Sequence, residues 1–219
     1  EIALSKDNYF LLKAFISLNF YMKQLMEPQI TKIHNNSDDK QIKRGTVLHI
    51  LLQRQERSDD EMEAYQIMHF KEECSDLLVS KNAIVTEISN NALIAIFVDS
   101  RMKNPFLVAA DCINGIREAL YKYRETSGWN IVLKASINEG EVSILSMKDA
   151  KGVLLGEAVN ESFLILDTTH PMQVTLTDKV KGKIVKDYNF VPRCPVDLGA
   201  SKPASLFYLH TPATQPCAL

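Results

Sequence analysis

The cysteines and histidines of this sequence, which could bind a metal or take part in catalysis, are few and widely spaced. Its four cysteines, Cys74, Cys112, Cys194 and Cys217, form no CxxC pair and have no histidine at ligand spacing. This spacing argues against both a zinc site and a disulfide framework. We therefore expect reduced thiols.

The histidines and glycines give no stronger signal of catalysis. His49 lies within an apolar run, and His69 lies on a segment with helical apolar spacing. A histidine in either setting is more often a packing residue than a ligand or a base. The glycine-containing segment 152–156 lacks the lysine and the spacing of a phosphate-binding loop, and no nucleophile-elbow sequence is present.

Composition and charge narrow the class of protein. The chain has 219 residues, of which 46% are hydrophobic and 24% are charged, so it is long and apolar enough to bury a sizeable core. Its formal net charge is -2, without a block of five or more like charges. Because phosphate-backbone binding depends on an excess of lysine and arginine, we expect no nucleic-acid partner.

The elements that must position any site alternate between strands and helices. Apolar runs and turn residues predict strands at 46–52, 83–88, 92–98, 131–137, 141–145, 172–176 and 205–210, with hairpin turns at 89–91 and 138–140. Helical spacing predicts helices from Glu61 to near Leu78, from Pro105 to just before Gly128 and from Gly156 to near Leu166. A short helix or turn is predicted at 177–185. This order predicts an α+β fold with a mostly antiparallel sheet and helices packed on it.

An additional apolar helix is predicted at the N-terminus, from Tyr9 to Met26. Its apolar run, 9–22, is too short to cross a bilayer and is interrupted by Lys13 and Asn19. It could cap the core, or it could be a dimerising or membrane-proximal signalling helix. We therefore divide the chain into an N-terminal helix and linker at 1–44, a main domain at 45–211 and a tail at 212–219.

Three stretches of the main domain resemble class III adenylyl and guanylyl cyclase catalytic domains when they are taken in order. The sequence EISNNALIAIF at 87–97 resembles the family's hairpin, and IVLKASINEGEV at 131–142 resembles its strand, turn and Gly-Glu-Val stretch. The sequence GEAVN at 156–160 is similar to the Gly-x-x-Val-Asn motif that opens a helix. The resemblance covers about three quarters of the chain and implies the ferredoxin-like sandwich of the nucleotide cyclases.

The resemblance also implies that the catalytic groups of the family are missing. Cyclisation needs divalent cations held by carboxylates, and the two metal-binding aspartates of the family align with Leu51 and Asn91. Leucine cannot bind a cation, and asparagine is a weaker ligand than aspartate. The arginine that stabilises the phosphates aligns with Leu164. We therefore expect no catalytic residue, no metal site and no cofactor, with Mg²⁺ or Mn²⁺ only if the chain works in an active heterodimer.

Two polar positions keep a vestigial resemblance to the nucleotide site. Asn160 corresponds to the residue that orients the ribose, and Glu87 corresponds to one of two base-selecting positions, of which the other is the apolar Val153. Both have ordinary alternatives, since an asparagine near a helix start often makes local hydrogen bonds and a strand glutamate is often simply an exposed charge.

The resemblance implies that such domains pair head to tail and build their sites at the dimer interface. We therefore expect a catalytically degenerate regulatory or dimerisation module in signal transduction, in a homodimer or in a heterodimer with a cyclase-like domain. Two alternatives remain: a cyclase subunit active only in a heterodimer, and a sensor that binds a small ligand in the vestigial pocket. Because the first residue is Glu1 and not Met, we expect an upstream sensor domain in a longer protein. A cytoplasmic location is expected, with membrane attachment only through segments outside this sequence.

Overall fold

The computed structural model describes residues 40–55, 61–147, 150–197 and 203–212. The predicted helix at 9–26 and Cys217 lie outside the described residues. The strands are β1 (Lys40–Arg54), β2 (Ile84–Ser89), β3 (Ala92–Val98), β4 (Ile131–Met147), β5 (Ala150–Leu155), β6 (Val174–Thr177), β7 (Tyr188–Pro192) and β8 (Leu206–Pro212). The α-helices are α1 (Glu61–Ser80), α2 (Pro105–Ser127), α3 (Glu157–Asp167) and α4 (Asp178–Ile184), and a 3-10 turn spans Asp99–Arg101.

The strands form one sheet in the order β2-β3-β1-β4-β6-β8-β7, and β5 pairs with β4 outside this path. The pairs β1–β3, β2–β3, β4–β5, β6–β8 and β7–β8 are antiparallel, whereas β4 and β6 are parallel. The prediction of an α+β fold with a mostly antiparallel sheet is therefore confirmed.

Each face of the sheet carries its own core. Leu48, Ile50 and Leu52 of β1 belong to the larger core, which the buried sides of α1, α2 and α4 complete. Val47 belongs to the smaller core, which contains residues of β5 and α3. Since successive side chains of a strand point to opposite faces, α1, α2 and α4 cover one face and α3 and β5 cover the other.

The predicted bounds of α2 are confirmed, and its two ends have clear causes. Asn104 precedes the helix, and its Oδ1 accepts a hydrogen bond from the backbone N–H of Leu107 at 3.2 Å. Pro105 occupies the first turn, where its missing N–H costs nothing. Gly128 ends the helix in the left-handed conformation at φ 65°.

The hairpin turn predicted at 138–140 is wrong, because β4 runs unbroken through these residues. The amide of Asn138 points to α3, where Nδ2 donates to the carbonyl of Ala158 at 2.7 Å. A Cβ at Gly140 would lie 2.8 Å from the Cβ of Ala158. The glycine therefore permits β4 and α3 to approach closely, a role that its sequence neighbours do not reveal.

The sheet also extends beyond the predicted strands. β1 begins at Lys40, six residues before the predicted strand, and β8 continues to Pro212. β7 was not predicted, since its sequence YNFVP is short and ends in a proline, which is tolerated on the edge strand that β7 forms. No helix in the described part of the chain has the length and apolar character needed to cross a membrane.

Candidate functional site

The structure brings Leu51 and Asn91 together at one end of the sheet. Leu51 of β1 pairs with Ala92 of β3, so Asn91 lies beside the end of β1. The carbonyl of Asn91 accepts a hydrogen bond from the backbone N–H of Leu52 at 2.8 Å. The two positions that align with metal-binding aspartates are therefore neighbours, one near the end of β1 and the other in the turn between β2 and β3.

The side-chain amide of Asn91 makes internal hydrogen bonds with both of its polar atoms. Its Nδ2 donates to the carbonyl of Leu52 at 2.9 Å, and its Oδ1 accepts from the hydroxyl of Ser89 at 2.7 Å. An aspartate at this position would have no N–H group to donate a hydrogen bond to the carbonyl of Leu52. The local structure thus fits an amide better than a carboxylate.

Glu87 lies on the other side of the sheet from Leu51. It pairs with Leu93, whose side chain belongs to the larger core, and it meets Lys71 of α1. Lys71 Nζ donates to Glu87 Oε2 at 2.8 Å and approaches the carbonyl of Ser89 at 3.4 Å. The sequence reasoning did not single out Lys71, although it lies on the same helix face as the buried residues of α1.

His49 joins β1 to α3 on the face of the sheet that Leu51 shares. Its Nδ1 lies 3.2 Å from the hydroxyl of Ser162, which itself donates to the carbonyl of Val159 at 2.6 Å. Because that hydroxyl has only one hydrogen, Nδ1 of the imidazole carries the proton and donates it. The ring packs edge-on against Phe163 at a centroid distance of 4.4 Å, and burial lowers the pKa of His49 to about 4. His49 therefore has the environment expected of a core histidine.

The remaining aligned positions lie on α3 and β5. Asn160 is exposed in the first turn of α3, and Leu164, four residues later on the same helix face, is 39% exposed. Gly156 precedes the helix at φ 147°, where a Cβ would lie 2.6 Å from the carbonyl oxygen of Glu141. The glycine of the motif is thus required by packing. Val153 lies in β5, paired with Leu145.

A cleft of about 420 Å³ opens beside the first turn of α3. Its lining residues are Ile42, Glu139, Gly140, Glu141, Ser143, Gly156, Glu157, Ala158, Glu161 and Lys179. Glu139 also forms an ion pair with Arg44 at 3.5 Å. Because four of the lining residues are glutamates and one is a lysine, the cleft repels a polyphosphate.

The described residues, 40–55, 61–147, 150–197 and 203–212, contain no group of three or more histidine, cysteine, aspartate or glutamate side chains that could hold a metal ion. Cys74 and Cys112 are buried free thiols, and Cys194 is an exposed one. Burial raises the pKa of both buried thiols, and it raises the pKa of Cys112 to about 11.

Solved structures share this fold, whereas no protein-family model and no curated protein sequence matches the chain. The adenylyl cyclase CyaB from P. aeruginosa superposes with a TM-score of 0.70 at 12% identity, over 79% of this chain and 96% of that one. The guanylyl cyclase Cya2 gives 0.69 at 16% identity, over 83% and 98%. A dimeric guanylyl cyclase domain of the RhoGC fusion protein from Blastocladiella emersonii gives 0.67 at 12%, over 79% and 98%. The chain therefore has the fold of these cyclase domains.

Proposed function

We propose that this cyclase-type domain is catalytically degenerate and acts as a regulatory or dimerisation module in signal transduction. The main support for the proposal is that neither Leu51 nor Asn91, which lie side by side, has a carboxylate to bind a metal ion. One side chain is a hydrocarbon, and the other uses its amide to tie the β2–β3 hairpin to β1.

The electrostatics around the site support the same function. Two-metal catalysis needs anionic oxygen ligands that hold the cations against the phosphates. Neither Leu51 nor Asn91 supplies one, and Leu164 offers no positive charge. The glutamates beside α3 would repel a nucleotide triphosphate. We accordingly propose that the domain uses neither Mg²⁺ nor Mn²⁺ as a cofactor.

The proposed partners are other domains of the same fold. A dimeric guanylyl cyclase domain is among the similar structures, which supports pairing of this chain with a second copy or with a different cyclase-like domain. In this proposal an upstream sensor domain supplies the signal, and the domain lies in the cytoplasm.

The decisive experiment is a calorimetric titration with ATP and with GTP, in Mn²⁺ and in EDTA, followed by an assay of each sample for cyclic product. An active cyclase domain is the positive control. We expect neither metal-dependent heat nor product. Metal-dependent binding or turnover would overturn the proposal, whereas metal-independent binding without turnover would favour a small-ligand sensor.

A second candidate function is a subunit of a heterodimeric cyclase. It is favoured by Asn160, which is exposed at the start of α3 behind the glycine that its motif retains. The test mixes this chain with a metal-competent cyclase domain and compares it with the variant Asn160→Ala. Product that requires this chain and falls in the variant would establish the candidate, and no gain over the partner alone would exclude that pairing.

A further inference from the structure

One side of β4 has a gap between its neighbouring strands. β4 pairs with β6 through 135–137 and with β5 from Ser143 onward. In the described part of the chain, neither β5 nor β6 pairs with the residues between, 138–142. The cleft of about 420 Å³ opens at this gap, since residues of β4, of the start of α3 and of the start of α4 line it. The order of the strands therefore creates the cleft.

The cleft is separate from the positions that align with metal binding. Ile42, which lines the cleft, and Leu51 lie near opposite ends of β1, about 30 Å apart along the strand. On α3, Glu157 and Glu161 line the cleft from one face, a single turn apart, whereas Asn160 lies on the neighbouring face. A ligand of this cleft can therefore have a chemistry unrelated to that of a nucleotide.

Carboxylates dominate the walls of the cleft. The charged residues among those that line it are Glu139, Glu141, Glu157, Glu161 and Lys179. The side chain of Glu139 is 11% exposed, and its ion pair with the mostly exposed Arg44 offsets one negative charge. Because four glutamates face one lysine, the cleft attracts cations.

A buried acceptor borders the cleft. Asn138, the first residue of the gap, is 0% exposed. Its Nδ2 donates to the carbonyl of Ala158 at 2.7 Å and lies 3.4 Å from Oε2 of Glu161, and both of these residues line the cleft. Among the described residues, none donates a hydrogen bond to Oδ1 of the same amide. Since a buried acceptor without a donor is unfavourable, a ligand that brings an N–H group to this oxygen gains binding energy.

The arrangement of the carboxylates favours an organic cation over a metal ion. They do not converge on one point, because the described residues contain no group of three or more acidic, histidine or cysteine side chains that could hold a metal. A volume of about 420 Å³ is typical of a site for a small molecule. Several separate carboxylates and a neutral acceptor match a flexible cation that carries several N–H donors.

We propose that this cleft binds a small organic polyamine. One ammonium group donates to Oδ1 of Asn138 and to Glu161, and a second pairs with the exposed Glu141 and Glu157. The bound cation then bridges β4 and the first turn of α3, so that binding ties the start of this helix to the sheet. The proposal does not depend on the loss of catalysis.

Calorimetric titration of the chain with spermidine at low salt tests the proposal. We expect one site per chain, with an affinity that falls as the salt concentration rises. Hexamethonium, a dication without N–H groups, and Mg²⁺ should bind at least about tenfold more weakly, because neither can donate to Asn138 and the carboxylates together.

Paired variants locate the site. Glu141→Gln with Glu157→Gln keeps the size of both side chains and should weaken spermidine binding about tenfold or more. The matched control, Glu72→Gln with Asp76→Asn, removes the same charge from exposed positions of α1 and should bind like the wild type. In nuclear magnetic resonance spectra, spermidine should shift the side-chain amide signal of Asn138 and the backbone signals of 139–143.

Four results would overturn the proposal. They are a wild-type chain that does not bind spermidine, equal binding of hexamethonium or Mg²⁺, equal losses in the two double variants, and signals that shift only outside the cleft. The nucleotide titration is read separately, so either proposal can fail without the other.

Discussion

Lys71 and Glu87 form an ion pair at 2.8 Å that joins α1 to the β2–β3 hairpin. The side chain of Lys71 is 7% exposed, whereas that of Glu87 is 33% exposed. The lysine therefore depends on this partner much more than the glutamate does, because an unpaired charge in the interior is costly. The pair holds in place a carboxylate that the sequence had aligned with nucleotide recognition.

We predict that Glu87→Gln lowers the free energy of unfolding by about 2 to 3 kcal/mol, because it leaves Lys71 buried without a counter-charge. Lys71→Met should cost less, since Glu87 can still reach water. The double variant should be more stable than the sum of the two losses implies. Urea unfolding followed by the fluorescence of Trp129, the single tryptophan of the chain, measures all three. Strictly additive losses would show that the pair contributes nothing.

The site positions lead to a second prediction. Asn91→Asp should lower the free energy of unfolding by about 1 to 2 kcal/mol, because the carbonyl of Leu52 loses its donor. It should not bind Mn²⁺ while Leu51 remains beside it. The double variant Leu51→Asp, Asn91→Asp places one carboxylate on β1 and another in the neighbouring β2–β3 turn, and it should bind Mn²⁺ in calorimetry. It should still yield no cyclic product, since Leu164 supplies no cation, and Leu51→Asn, Asn91→Asp is the matched control. Cyclic product from the double variant would show that Leu164 is not limiting.

The sequence predicts the strands around this site but not the contacts between its side chains. Apolar runs and turn residues predict β2 and β3 within a residue of their bounds, whereas the neighbourhood of Leu51 and Asn91 is implied only by the resemblance to the cyclase domains. The ion pair of Lys71 depends instead on how α1 packs on the sheet, which no local pattern encodes. The role of Gly140 could not be predicted either, because the sequence does not distinguish a glycine needed for a turn from one needed for close approach of two elements.

His49 gives a third prediction, on pH. Burial lowers the pKa of the folded protein's His49 to about 4, whereas an unfolded histidine titrates near 6.5. Between these values the unfolded chain binds more protons, so stability is complete above about pH 6.5 and falls as the pH approaches 4. The loss from this residue should reach at most about 3 kcal/mol.

The variant His49→Gln keeps a donor for the hydroxyl of Ser162 and removes the titration. It should be less stable than the wild type at pH 7 but should lose less stability between pH 7 and pH 4.5. Urea midpoints at the two pH values check this difference. Equal losses in the two proteins would place the acid sensitivity in other groups.

The glycine before α3 leads to a fourth prediction. Gly156→Ala should lower the free energy of unfolding by about 2 kcal/mol or more, because φ 147° is strained for alanine and its Cβ would lie 2.6 Å from the carbonyl oxygen of Glu141. Gly182→Ala is the matched control, since Gly182 lies inside α4 with nothing within 4 Å of a Cβ. The control should be unchanged or more stable by up to about 1 kcal/mol. A neutral Gly156→Ala would mean that the start of α3 can move away from β4.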